Sequence, residues 1–166
     1  MTKRSHRSFV SYIDKSREYY AAQGYGRPYL WASHANAPFT ALQKPLSESR
    51  IGLVTTVFFP RGSEPDGVAP PPAKAPYAAG TEHAAGCTYN ADLSWAKDET
   101  HPDDLDTYLP ISRVQTAVAR GRLASQSPRF YGVPTDYSQR RTRHDATDIA
   151  RWMIDDNVDI ALLVPL

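Results

Sequence analysis

Two apolar runs stand out along this chain, far apart in sequence: Ile51-Gly52-Leu53-Val54-Thr55-Thr56-Val57-Phe58-Phe59 and Val158-Asp159-Ile160-Ala161-Leu162-Leu163-Val164-Pro165-Leu166. Neither alternates apolar with polar. A strand that shows one face to water alternates, whereas a strand covered on both faces reads as a continuous apolar run rich in β-branched residues. Both runs are therefore expected to be buried parallel strands, the first ended by Pro60.

Helical spacing appears in three segments. Over 8–22, Phe9, Val10, Ile13 and Tyr20, with Tyr12, share one side, and Gly24-Tyr25-Gly26 ends the helix. Pro110 opens a second helix, since a first-turn residue has no N–H bond to lose. Ile111, Val114, Ala117 and Val118 form its stripe and Gly121 its stop. A third is expected over 146–156, capped by Asp145, with Asp148 near its positive end. Ile149, Trp152 and Met153 would face the core, and Asn157 would take the left-handed turn that ends it.

The rest is less regular. Residues 27–49 read as an aromatic, proline-broken wrapping segment, and 60–80 as a Pro/Gly/Ala-rich loop. Residues 81–109 read as loop with a short strand near 88–94. Phe130 to Val133 read as a short strand or extended turn, and 136–145 as a solvated polar connection. The order predicts an α/β fold: a partial parallel sheet flanked by helices, with a long Pro-rich loop insertion. Residues 1–50 form an N-terminal helix and wrapping segment. Residues 51–166 form an α/β domain, incomplete at its C-terminus, with the insertion at 60–90. The final strand either sits centrally and closes the sheet or has lost neighbours.

Composition narrows the class. The 166 residues suffice for one domain or most of one, and a net charge of +1 gives no global field toward nucleic acid or acidic lipid. The acids of Glu82 to Asp106 and the seven arginines of Arg113 to Arg143 read as neighbouring solvated faces. Cys87 is the single cysteine, which excludes an internal disulfide and a Cys-rich zinc site. No signal-peptide core follows the basic N-terminus, and no run reaches the roughly 20 apolar residues that span a bilayer. A cytoplasmic protein with no membrane partner is expected. There is no phosphate-cradling glycine loop, no Gly-x-Ser-x-Gly elbow and no His-Glu-x-x-His. Tyr19, Tyr20, Tyr25, Tyr29 and Trp31 are read as packing residues and not as a platform for bases.

Lys44-Pro45-Leu46-Ser47-Glu48-Ser49-Arg50 running into Ile51-Gly52-Leu53-Val54-Thr55-Thr56 resembles the first-strand signature of the glycine/sarcosine/betaine reductase selenoprotein B family, which includes D-proline reductase relatives. Asp92-Leu93-Ser94 through His101 and Pro110-Ile111-Ser112-Arg113 resembles its acidic loop and following helix. Ala124 to Gly132 is similar to its turn, and Val158-Asp159 into Leu162-Leu163-Val164-Pro165 to its second-strand signature. The resemblance runs from about Tyr19 to Leu166 and is weakest in the Pro-rich insertion. In that family the second strand is followed by selenocysteine or cysteine and then a Cys-His pair. The resemblance thus implies that this sequence stops at a selenocysteine codon read as a terminator; natural truncation, a gene remnant or a split gene are the alternatives.

The same resemblance implies reductive C–N bond cleavage of a small amine or amino-acid-derived substrate. A selenolate attacks the carbon bearing the amine, which a pyruvoyl group on a partner subunit first activates as a Schiff base. This chain would carry no cofactor of its own. It would work with reductase partner subunits and could be oligomeric. A selenol is anionic at neutral pH, whereas a thiol needs its pKa of about 8.5 lowered. Within the chain, Thr55 and Thr56 approach such a site if the two long strands are adjacent and parallel. His101 with Asp103 and Asp104 is the best polar cluster: an oriented acid/base imidazole, with Asp103 toward substrate. Arg129 would hold a substrate carboxylate in a two-pronged pair. Each has a plainer reading as strand residue, solvated loop or carbonyl cap, and Cys87 reads as incidental. Two other functions compete: a non-catalytic α/β binding or scaffold module, and a metal-assisted hydrolase built on His83, His101, Asp103 and Asp104.

Overall fold

The computed structural model describes residues 12–27, 32–33, 35–37, 40–57, 75–83, 104–133 and 138–164. The chain divides into two units, Met1–Phe39 and Thr40–Leu166. In the first, helix α1 (Tyr12–Ala22) runs over the later part of the expected segment. Its end is closed by the Tyr25 ring, edge-on to Tyr20 at 5.7 Å.

The second unit is a mixed sheet with a helix on each face. Its elements are β1 (Arg50–Thr55), β2 (Tyr77–Gly80), α2 (Ile111–Ala119), β3 (Ser125–Gln126), β4 (Arg129–Gly132), α3 (Gln139–Asp155) and β5 (Ile160–Val164). β1 is the centre. On one side β5 runs parallel to it, from Ile51 opposite Ile160 to Thr55 opposite Val164. On the other side lie both β3 (Ile51 opposite Gln126) and β4 (Thr55 opposite Gly132), also parallel. Between Ile51 and Val54 the chain adds two residues; between their partners Gln126 and Tyr131 it adds four. β3 and β4 are therefore one strand carrying a bulge at Ser127-Pro128. β2 closes the far edge, antiparallel to β4.

Alternation along the strands makes two cores. Ile51, Leu53, Val57, Tyr77, Ala79 and Phe130 face α2 and pack on Ile111 and Val114, joined by Tyr108 and Leu109. Val54 and Tyr131 face α3 and pack on Ile149, with Trp152 and Met153 beside them. The helix ends follow local chemistry. Pro110 stands at the start of α2, and Gly121 at φ +68° turns the chain out of it, a conformation that costs glycine nothing. Asn157 at φ 55° does the same between α3 and β5.

Three expectations need correction. The third helix starts seven residues early, at Gln139, because the Ser138 hydroxyl accepts from the Arg141 amide and caps it. Asp145 lies inside the helix, buried, and caps nothing at its start. The segment read as polar connection consists largely of good helix formers once a cap exists.

Among the described residues the last strand is neither central nor covered on both faces. β5 is an edge strand among the described residues, and Leu163 is 66% exposed. Tyr77–Gly80, inside the stretch read as loop, is strand β2. Its small residues lie flat against β4, and the Tyr77 ring covers Gly132, where any Cβ would sit 2.0 Å from Tyr77 Cε1. The rest of the Pro-rich insertion to residue 74, and the strand expected near 88–94, lie outside the described residues.

Candidate functional site

The connections define a switch point. After β1 the chain passes through the edge strand β2 before it reaches α2 on one face of the sheet; after β4, the neighbour of β1, it reaches α3 on the other. In open α/β sheets the crevice outside the carboxyl ends of two such strands is where ligands bind. Here that position is flanked by Thr55, the last residue of β1, with Thr56 and Val57 after it, and by Gly132, the last residue of β4, with Val133 after it. The end of β5 lies on the other side of β1. α3 runs back along the sheet, so its amino end, with its unsatisfied N–H groups and positive dipole, lies on this carboxyl side. An open depression of about 450 Å³ there is lined by Ser138, Arg140, Arg141 and His144.

Thr55 is 1% exposed and is engaged inside the fold. Its hydroxyl donates to the Tyr108 carbonyl at 2.8 Å and accepts from the Val57 amide at 3.4 Å. The buried Tyr77 hydroxyl donates to the Val57 carbonyl, and burial holds its ionisation far above the ordinary tyrosine value. The floor of the crevice is therefore stitched together. Thr56 is half-buried on the opposite side of the strand from Thr55.

Arg129 lies at the other end of the sheet. It begins β4, three residues and about 10 Å from the carboxyl edge. Its guanidinium makes the two-pronged carboxylate pair that the sequence suggests, but with the chain's own Asp156: Nε to Oδ2 at 2.8 Å and Nη2 to Oδ1 at 2.9 Å. Asp156 Oδ2 also accepts from the Tyr131 hydroxyl at 2.5 Å and, at 3.5 Å, from Ser127. Arg50 completes the knot, donating to the Asp156 carbonyl at 2.7 Å and to Ser125 Oγ at 3.0 Å. Burial would raise the Asp156 pKa, but hydrogen bonds from Arg129 and Tyr131 hold it below the usual carboxylate range. Tyr131 is pushed up to about 12 by burial and by its bond to Asp156. Nearby, Asp159 is lowered by the Arg50 amide and by Lys44, whose ammonium lies 2.8 Å away. This cluster ties the end of α3 to the bulged strand, and sequence reading found only Arg129 of it. The signal lay in Asp156-Asn157, an acid just before a left-handed turn, but its partner is far away in sequence.

His101 and Asp103 lie outside the described residues. Asp104 is exposed and accepts from the Asp106 amide at 3.0 Å, starting the short 3-10 turn Leu105–Thr107. Among the described residues no group of three or more His, Cys, Asp or Glu side chains is placed to hold a metal ion. None of their helices is long and apolar enough to cross a membrane. No family model, curated protein or solved structure matches this chain.

Proposed function

We propose that this chain supplies the substrate-facing α/β layer of a selenol- or thiol-dependent reductase of the glycine/sarcosine/betaine/D-proline reductase type. One observation carries the reading: β4, β1 and β5 are parallel neighbours, and a switch point between β4 and β1 gathers their carboxyl ends on one edge. In the resembling family the reactive chalcogen comes just after the strand that corresponds to β5. Here that strand ends level with Thr55. A small amino acid or betaine carries a carboxylate, and the positive end of α3 with Arg140, Arg141 and His144 suits one. In the step itself a selenolate or thiolate forms a bond to the substrate carbon as the C–N bond breaks. The amine takes the bonding electron pair and a proton.

The gene decides this reading. The expected result is an in-frame TGA or cysteine codon directly after that of Leu166, followed by an open frame encoding a Cys-His pair. Protein from that longer frame should incorporate radioactive selenium in the TGA case. A TAA or TAG codon there, or a continuation lacking both redox residues, refutes it. A second reading, a non-catalytic α/β binding or scaffold module, is favoured by one observation: the Thr55 hydroxyl and the Arg129 fork are both committed to bonds within the chain.

A further inference from the structure

Helix α3 stands proud of the sheet. Of its seventeen residues only Asp145 and Ile149 are buried. The helical period fixes its outward face. Ile149, which packs on the sheet, lies half a revolution from Arg140, and His144 and Thr147 continue the Arg140 line at successive turns. Arg143 flanks that line, and all four residues are exposed. The stretch Ser138 to Thr147 holds Arg140, Arg141, Arg143 and His144 against one acid, Asp145, which is buried. The net charge of +1 thus conceals a concentrated positive field on one helix face. Among the described residues the side chains of Arg140, Arg143 and His144 enter no ion pair. Arg151, next on the same line, is paired with Asp148 at 2.9 Å.

We infer that this face docks on duplex DNA, with the amino-terminal half of α3 in the major groove and its arginines on the phosphates of the groove walls. A helix with its side chains is about 10–12 Å across and the groove about 12 Å wide. Arginine forks suit phosphate oxygens. The rest of the face selects among polyanions. A protein partner needs a large apolar anchor at the centre of the contact, and none stands between Arg140 and Asp148. The exposed Ile154 lies about 16 Å beyond Arg143. A lipid surface would need the same kind of residue to insert. A single strand stacks its bases on aromatic rings, and none lies between Arg140 and Arg151. The major groove of double-stranded RNA is too deep and narrow to enter. Asp148 and Asp155 confine the contact to the amino-terminal half of the helix. Phosphate contacts carry no sequence information, so binding is sequence-independent, with a Kd on the order of 10 μM. The inference does not rest on the reductase reading, which needs one carboxylate in the depression and not a row of cations along the helix.

Fluorescence anisotropy of a labelled duplex of about two helical turns, titrated with the whole chain, tests it. Binding should fall with salt between about 50 and 200 mM, with a log–log slope of about −2 to −3. Arg140→Gln combined with Arg143→Gln should flatten the slope by about two units and weaken binding at least about ten-fold, with far-UV circular dichroism unchanged. Asp148→Asn releases Arg151 and should steepen the slope by about one unit. Arg113→Gln, on α2, should leave binding as it is. No binding at high micromolar protein, a salt-independent signal, a single strand or a poly-glutamate peptide bound as tightly as the duplex, or an unchanged slope in either α3 variant overturns the inference. If the double arginine variant fails to fold, Asp148→Asn decides alone.

Discussion

Replacing Asp156 with asparagine keeps the shape of the clasp at the amino end of the sheet and removes its charge. The Arg129 fork and the Asp156 carboxylate meet at 2.8 and 2.9 Å. Their charge centres are thus about 4 Å apart, an attraction of about 4 kcal/mol at an effective dielectric constant of about 20. Desolvation of Asp156, 11% exposed, returns part of this, and Arg129, 34% exposed, is partly screened by water. Asparagine also turns an N–H donor toward the Tyr131 hydroxyl or the guanidinium. We expect Asp156→Asn to lose about 2–3 kcal/mol, read as a lower urea midpoint by far-UV circular dichroism and a Tm drop of about 4–12 °C. Asp148→Asn is the control. It breaks an exposed pair with Arg151 at 2.9 Å and should cost no more than about 0.5 kcal/mol. Acid adds a second signature. Because the Asp156 pKa is lowered in the fold, its contribution is full above the unfolded value of about 3.9 and is lost as pH falls through the folded value. The gap between wild type and Asp156→Asn should therefore close in acid. A variant as stable as the Asp148 control, or a gap that persists at low pH, would refute the clasp.

Other substitutions test the sheet and its carboxyl edge. Gly132→Ala should destabilise by about 3 kcal/mol or more in the same denaturation assay, because its Cβ would overlap the Tyr77 ring at 2.0 Å. Thr55→Val should cost about 1–2 kcal/mol by leaving the buried Tyr108 carbonyl without its donor; unchanged stability would show that the hydroxyl is free for a ligand. Asn157→Gly should be neutral to slightly stabilising by thermal melt, whereas Asn157→Val should lose about 1–2 kcal/mol, since a β-branched side chain resists φ 55°.

The division between chain and fold runs along the range of the interactions. Sequence determined what depends on neighbours within a few residues. The β1 run, the Pro110 start and Gly121 stop of α2, the inward stripe of Ile149, Trp152 and Met153, and the left-handed Asn157 are all local. They follow from side-chain size, backbone freedom and helical period. Tertiary structure decided the rest. A four-residue strand such as Tyr77–Gly80 has little signal of its own; it forms because β4 offers a ladder and Gly132 offers room for a ring. The Ser127-Pro128 bulge exists only relative to the register of β1. Arg129 shows in sequence as a cation in search of a carboxylate, but only the fold supplies Asp156, at the edge opposite Thr55. An apolar run shows that a strand is built for burial. Where that strand stands in the sheet, and therefore what covers it, depends on the whole path of the chain, and among the described residues β5 stands at the rim.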